Sequence, residues 1–365
     1  IYETTIEIGR AKSIYIGNIS LMSSSISIGR SENIAICNSY ARDAKKPFRI
    51  VNSENISISN TITNNSSYSI YIDSCNDTVI SSGFFNASRN AIEVYYSVGV
   101  KVENIIVYGV PKTYGLRLYK SENVEVKSIA LFNASFHVIG YYYYFYGGYS
   151  ARTGEYEYGV KFVWRPKYYN IKITNLTVNS LPVLYGYNLT DKVINDTYGQ
   201  IILVNAKNIR VENQHIRGMP YGIYVFLSKS VEIVNNELEE TKEGIIILGS
   251  DQVTIENNTI RNTTSYAIYV LGSKITEIRY NSFIDTNKSI YHLHAHVEIV
   301  HNYWSNQTHI DKDHDGINDC RYNKIDPDPL YQQNTKPKTI FYTYLATGIT
   351  SVSYTHLTLP TTERV

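Results

Sequence analysis

Residues 222–233, Gly-Ile-Tyr-Val-Phe-Leu-Ser-Lys-Ser-Val-Glu-Ile, return as 244–255, Gly-Ile-Ile-Ile-Leu-Gly-Ser-Asp-Gln-Val-Thr-Ile. They return again from Ala267-Ile-Tyr-Val-Leu-Gly-Ser273 and as Ser289-Ile-Tyr-His-Leu-His-Ala295. The steps between the closing residues are 22, 23 and 22. Working backward, Gln200-Ile-Ile-Leu-Val-Asn-Ala206 precedes them by one step. An earlier series closes on Ser31, Ser53, Ser74, Ser97 and Ser121. A second element follows each, as in Val231-Glu-Ile233, Val253-Thr-Ile255 and Val297-Glu-Ile299, with alternate residues apolar. That alternation is the period of a strand with one buried face. No stretch carries the i, i+3, i+4, i+7 spacing of a helix. A fixed period near 22 residues, built of short strands, is the mark of a stacked solenoid.

The fold expected is all-β: a single-stranded right-handed parallel β-helix, a solenoid of about 11–12 rungs of ~22 residues. Ile223, Ile245, Ile268 and Ile290 should form one inward stack, and Val225, Ile247 and Val270 another. Asn236, Asn258, Asn281 and Asn302 recur in the same register. Asn suits left-handed turn positions and can form a hydrogen-bonded ladder along the axis.

The domain reading follows from the register. Residues 1–10 are an edge, and 11–300 carry the rungs. The aromatic run 141–169 breaks the period, and 179–199 read as an extra-long connection. Residues 301–332 form a terminal rung, and 333–351 a linker or the start of a further segment. Residues 352–361 resemble translated transposon-end adapter DNA, so 352–365 are expected not to be native. No leader-like run precedes the repeats, so a signal peptide and any anchor are expected to lie beyond the visible chain.

The 365 residues carry Lys+Arg 34 against Asp+Glu 33, a formal charge of +1. This balance offers no footprint for nucleic acid, and no apolar run is long enough for a membrane span. Three cysteines are too few for a disulfide scaffold. Fourteen Asn-x-Ser/Thr sequons, from Asn18 to Asn306, favour an extracytoplasmic surface: secreted, cell-surface or periplasmic.

Three groups could carry chemistry. Asp311, Asp313, Asp315 and Asp319, with Gly316 and the carbonyl of Ile317, give the oxygen-rich spacing that suits Ca²⁺ in a structural role. Tyr322 stands where an EF-hand glutamate would, so this is not an EF-hand. His292, His294 and His296 alternate and leave a copper or zinc site open, although His292 falls at an inward register and His294 and His296 at a bend. The run 141–169 offers Tyr143, Tyr146, Tyr149 and Trp164 for a glycan or protein ligand, with Gly147-Gly148 able to turn a hairpin. The bland alternative is a hairpin folded back on the rod, burying its own rings.

The end of the repeat carries a family resemblance. Asn302-Tyr-Trp-Ser305, then the Asp-rich loop, then Asp328-Pro-Leu330 resembles the ending of NosD-like, pectin-lyase-like β-helix proteins. The departures are Asn306 and Cys320-Arg321. The resemblance implies the fold and a place outside the cytoplasmic membrane. Founding members handle copper, a role that the resemblance alone does not transfer.

Function at this level divides three ways. The first is a non-catalytic secreted or cell-surface β-helix that binds a glycan or an envelope protein, or serves as an envelope scaffold. The second is a polysaccharide lyase or glycoside hydrolase. The third is a NosD-like copper-handling accessory protein. The enzyme reading lacks residues. Glu93 stands beside Tyr71 and Arg117 rather than a second acid, and neither the polygalacturonase nor the pectate-lyase signatures occur.

Overall fold

The computed structural model describes residues 3–149 and 156–306. It is a parallel β-solenoid of about 13 turns with almost no helix. One rung runs Tyr221–Phe226, Lys229–Val234, Glu237–Glu239; the next runs Glu243–Leu248, Asp251–Glu256, Thr259–Arg261. The register is as expected: Ile223 pairs with Ile245, Ile245 with Ile268, and Ile268 with Ile290. In the middle of the rod the strands merge across the corners, giving Asn76–Tyr95, Val98–Tyr119 and Glu122–Ile139. Among the described residues no helix is long and apolar enough to cross a membrane.

The recurring serines have a specific task. The Ser228 hydroxyl donates to the Phe226 carbonyl at 3.0 Å and accepts from the Ala206 amide at 3.0 Å; Ser250 does the same for Leu248 and Ser228. Each corner thereby satisfies one buried backbone donor and one acceptor, which would otherwise cost stability. The asparagine ladder also forms, from Asn236 through Asn258 and Asn281 to Asn302. Its backbone differs from expectation. The left-handed residues are those just before: Asn235, Asn257, Tyr280 and His301, with φ of 56°, 60°, 57° and 57°. The ladder asparagines serve as internal hydrogen-bond bridges, not as turn formers.

The same chemistry accounts for many sequons. Asn18, Asn55, Asn65, Asn133, Asn175, Asn188, Asn257 and Asn262 all have positive φ. Several link laterally, as Asn55 to Asn33 at 2.5 Å and Asn257 to Asn235 at 2.6 Å. Asparagine tolerates the left-handed conformation that these turns require.

Two interruptions resolve differently. Residues 179–199 are not a loop. Asn179 and Ser180, both at positive φ, reverse the chain; Leu181–Tyr187 then pairs with Gln200–Val204, and Thr190–Ile194 with Lys207–Glu212. This stretch founds the second run of rungs. The insertion is an antiparallel hairpin, Tyr141–Tyr149 with Tyr156–Trp164. Gly147 and Gly148 are not its turn; they pair with Tyr158 and Glu157 inside the ladder.

The hairpin leaves the rod after Ile139 and returns through the short 3₁₀ turn Pro166–Tyr168. It lies back over the rungs that follow. Tyr141 stacks on Phe226 at 4.5 Å, Phe162 meets the same ring at 5.6 Å, and Phe145 reaches His294 at 5.2 Å. The corner glycines allow the approach. A Cβ on Gly249 would come within 2.8 Å of Phe162, and one on Gly272 within 2.9 Å; both residues have positive φ. The strands beneath, Gln200–Val204, Tyr221–Phe226 and Glu243–Leu248, are buried on both faces, at nearly every residue. Parallel strands covered on both sides read as unbroken apolar runs, and Ile201–Val204 and Ile245–Leu248 are such runs.

Candidate functional site

The sheet that the hairpin covers further along is open in the first half of the rod. There its outward positions form columns, because parallel pairing in register places equivalent side chains one above another. One column reads Ser27, Arg49, Tyr71, Glu93, Arg117, His137; the next reads Val51, Asp73, Tyr95, Tyr119, Ile139. Tyr68, Asn90 and Tyr114 flank them.

Glu93 is the centre. Its side chain is only 3% exposed although it stands on an outward face. Asn90 donates to it at 2.7 Å, the Tyr95 hydroxyl at 3.0 Å and Arg117 at 3.3 Å. Taking a carboxylate out of water costs free energy unless it is paired and hydrogen-bonded, and Glu93 is both. Arg117 also donates to the Tyr95 hydroxyl at 3.0 Å. Glu93 stands between Tyr71 and Arg117 in its column, as read from the sequence, while Asp73, on the preceding rung opposite Tyr95, adds a second carboxylate to this face.

Around this centre lies a platform of tyrosines and cations. Tyr71 to Tyr95 and Tyr95 to Tyr119 are each 5.4 Å between ring centroids. Lys46 sits 4.0 Å from the Tyr71 ring centre and 4.7 Å from that of Tyr68. Burial pushes the Tyr71 phenol up to about 12, with the nearby Asp73 adding to it, and burial moves Tyr95 the same way. These phenols are neutral donors at neutral pH. The arrangement offers flat apolar faces edged by hydroxyls and flanked by positive charge.

The platform ends against the second half of the rod at His137. This residue stacks on Tyr114 at 5.2 Å and lies against Tyr221 and Tyr224 at 5.0 and 6.0 Å. The Tyr114 and Tyr221 hydroxyls bond across this seam. Burial, reinforced by Arg117 and Lys242, pushes His137 from 6.5 to about 3. The unfolded chain therefore binds a proton here between those pH values while the folded chain does not. Stability is expected to be fully present above about pH 6.5 and to fall on acidification by up to ~1.4 kcal/mol per pH unit from this group. Urea unfolding of the protein and of His137→Phe at neutral and acid pH tests this. The variant should lose less stability on acidification; an equal loss in both would contradict it.

The residues singled out from sequence fare unevenly. Asp311, Asp313, Asp315, Ile317 and Asp319 lie outside the described residues, as does Cys320. Cys37 and Cys75 are unbridged. His292 pairs with Val270, the inward register expected, and is exposed on the last strand of its sheet among the described residues. His294 has φ +48° and turns to Phe145, and the His296 amide bonds the Ser273 carbonyl around the corner. The bend separates the three, and among the described residues no group of three His, Cys, Asp or Glu is gathered as a metal site. On the hairpin, Trp164 belongs to the seam, edge-on to Tyr169 at 6.0 Å and Phe226 at 6.5 Å. Tyr143 is on the same side but remains 43% exposed, and Tyr146 is 48% exposed on the opposite side. The Tyr149 backbone pairs with Tyr156 at the far end.

Comparison with known proteins agrees with the reading of the sequence ending. The family model of the periplasmic copper-binding protein NosD matches residues 161–325. No curated protein matches the sequence. Among solved structures, the catalytic domain of a GH87 α-1,3-glucanase in complex with nigerose is similar at 10% identity, covering 80% of this chain and 62% of that one, with a TM-score of 0.34. This chain thus spans about 62% of the length of that domain. PfbA, a surface adhesin of Streptococcus pneumoniae, is similar at 12% identity, covering 77% of this chain and 82% of that one, TM-score 0.33. The alginate lyase AlyF-OU02 is similar at 10% identity, covering 86% and 84%, TM-score 0.32.

Proposed function

We propose that this NosD-like parallel β-helix is an extracytoplasmic protein that binds a glycan on its open tyrosine sheet and does not cleave it. One observation carries the proposal: the Tyr71, Tyr95, Tyr119 platform around an enclosed Glu93. Stacked aromatic faces with hydroxyl edges suit sugar rings, which present apolar C–H faces and polar rims. Hydrolysis by the usual route needs two carboxylates free to act across the scissile bond; of the two acids on this face, Glu93 is enclosed and paired with Arg117, and Asp73 accepts from Tyr71 and Ser74. A glycan array, followed by prolonged incubation with the best ligand and a reducing-end assay, tests both halves. Binding without new reducing ends is expected. New reducing ends would make the protein a lyase or hydrolase, and no binding at all would favour a partner protein or a scaffold.

The family match favours a second reading, copper handling. Metal analysis of protein purified without chelator, together with Cu(I) and Zn²⁺ titration, tests it. Stoichiometric copper lost in His294→Ala/His296→Ala would support it.

Calcium belongs to the proposal through the sequence pattern at Asp311, Asp313, Asp315, the Ile317 carbonyl and Asp319. The ion would tie down the end of the rod. Ca²⁺ at a hundredfold excess over its dissociation constant is expected to add ~2.7 kcal/mol of stability. Asp313→Asn/Asp315→Asn should abolish this increment in a thermal melt. An unchanged melting temperature with and without chelator would remove the ion from the account.

A further inference from the structure

We infer that the tyrosine sheet and the outer face of the hairpin form one continuous track, and that the track fits a linear anionic glycan lying along the rod axis. The inference rests on the glycan-binding reading and adds the ligand's charge, direction and extent.

Continuity comes from Lys120. Its ammonium lies 5.0 Å from the Tyr119 ring centre, 5.7 Å from that of Tyr96 and 4.8 Å from that of Tyr142. Tyr142 is the first outward residue of the hairpin, and Tyr144 and Tyr146 share its side by strand alternation. These three are 51%, 44% and 48% exposed, while Tyr141 and Phe162 on the opposite side pack on Phe226. A row of open rings therefore runs from Tyr71 across Lys120 and out along the hairpin.

Direction comes from spacing. Successive rings of the sheet repeat every 5.4 Å, once per rung. An extended glycan advances by a similar length per sugar. A chain lying along the axis can meet one ring with each unit; a chain lying across it would meet one rung only.

Charge comes from where the cations point. Lys46 and Lys120 are held over tyrosine rings, and Lys46 also feels the charges of Glu93 and Asp73. Arg49 bonds the Ser27 hydroxyl, and Lys161 stands opposite Tyr144 on the hairpin. A groove of about 650 Å³ continues the track toward the first rungs, beside Lys45, Lys46, Tyr68 and Arg89. Of the two acids on the platform, Glu93 is paired with Arg117, and Asp73 accepts from Tyr71 and Ser74. The overall charge is only +1, so this face concentrates positive charge that the whole molecule does not carry. An anionic ligand is favoured there, and salt should weaken it.

The test is calorimetric titration with uronate-containing, sulfated and neutral oligosaccharides of graded length, at low and high salt. The anionic series is expected to bind more tightly with length and to weaken with salt. Lys46→Ala/Arg49→Ala should weaken every length by about tenfold or more, with partial rescue by Lys46→Arg/Arg49→Lys. Tyr142→Ala/Tyr144→Ala, on exposed positions, should leave short oligomers unchanged and remove the gain of longer ones. Circular dichroism melts of each variant check that the rod is intact. Equal affinity for the neutral series, or length dependence untouched by the hairpin variant, would overturn the inference and leave glycan binding standing. Binding of none of the oligosaccharides would overturn the glycan reading itself.

Discussion

Asn258→Ala is expected to destabilise the rod by about 3–5 kcal/mol, more than any surface change. Asn258 is fully buried. Its carbonyl oxygen accepts from the Asn236 amide and side chain, both at 2.9 Å. Its side-chain nitrogen reaches the carbonyls of Ile233 at 2.8 Å and Glu256 at 3.1 Å and the Asn281 side chain at 2.9 Å. Truncation leaves buried groups on two neighbouring rungs without partners, each costing ~1–3 kcal/mol. Asn258→Leu should be no better, because the loss is of hydrogen bonds and not of volume. Urea denaturation checks both. Stability restored by leucine would mean that the site needs bulk alone, and the ladder account would fail.

The second large effect is expected at Phe226→Ala. Phe226 points outward from its strand yet is completely buried. Tyr141 lies on it, and Phe162, Tyr169 and Trp164 surround it at 5.6, 5.6 and 6.5 Å. Removing a buried phenylalanine costs about 3–5 kcal/mol, and here the aromatic contacts holding the hairpin go with it. The variant should also cleave faster between residues 141 and 164 under limited proteolysis, and it should bind a hydrophobic dye. A loss below about 1 kcal/mol, the level of most surface changes, with unchanged cleavage would show that the hairpin is held elsewhere.

The rods and columns were legible because a repeat states its own register. Once Ile223, Ile245 and Ile268 are aligned, every outward column follows, and Glu93 can be placed between Tyr71 and Arg117 without coordinates. The covering hairpin left a signal that alternation alone did not use. Ile246 and Leu248 are outward positions that are apolar, so something had to cover them. The rung at 181–194 was hidden because its strands follow a chain reversal at Asn179 and Ser180, which shifts the spacing. The meeting of His137 with Tyr221 was not legible at all. It depends on where the hairpin lets the second run of rungs restart, a distance in space that no periodicity records. The histidines at 292, 294 and 296 show the converse. Their alternation holds only while the strand continues, and the left-handed residue His294 ends it.

The central claim is that the open tyrosine sheet binds sugar and leaves it whole. The direct measurement is titration of the best array ligand into the protein and into Tyr95→Ala/Tyr119→Ala, followed by a reducing-end assay on the wild-type mixture. The account predicts a loss of binding of about tenfold or more in the variant, with no new reducing ends. Wild-type affinity in the variant, or accumulating reducing ends with the native protein, would contradict it.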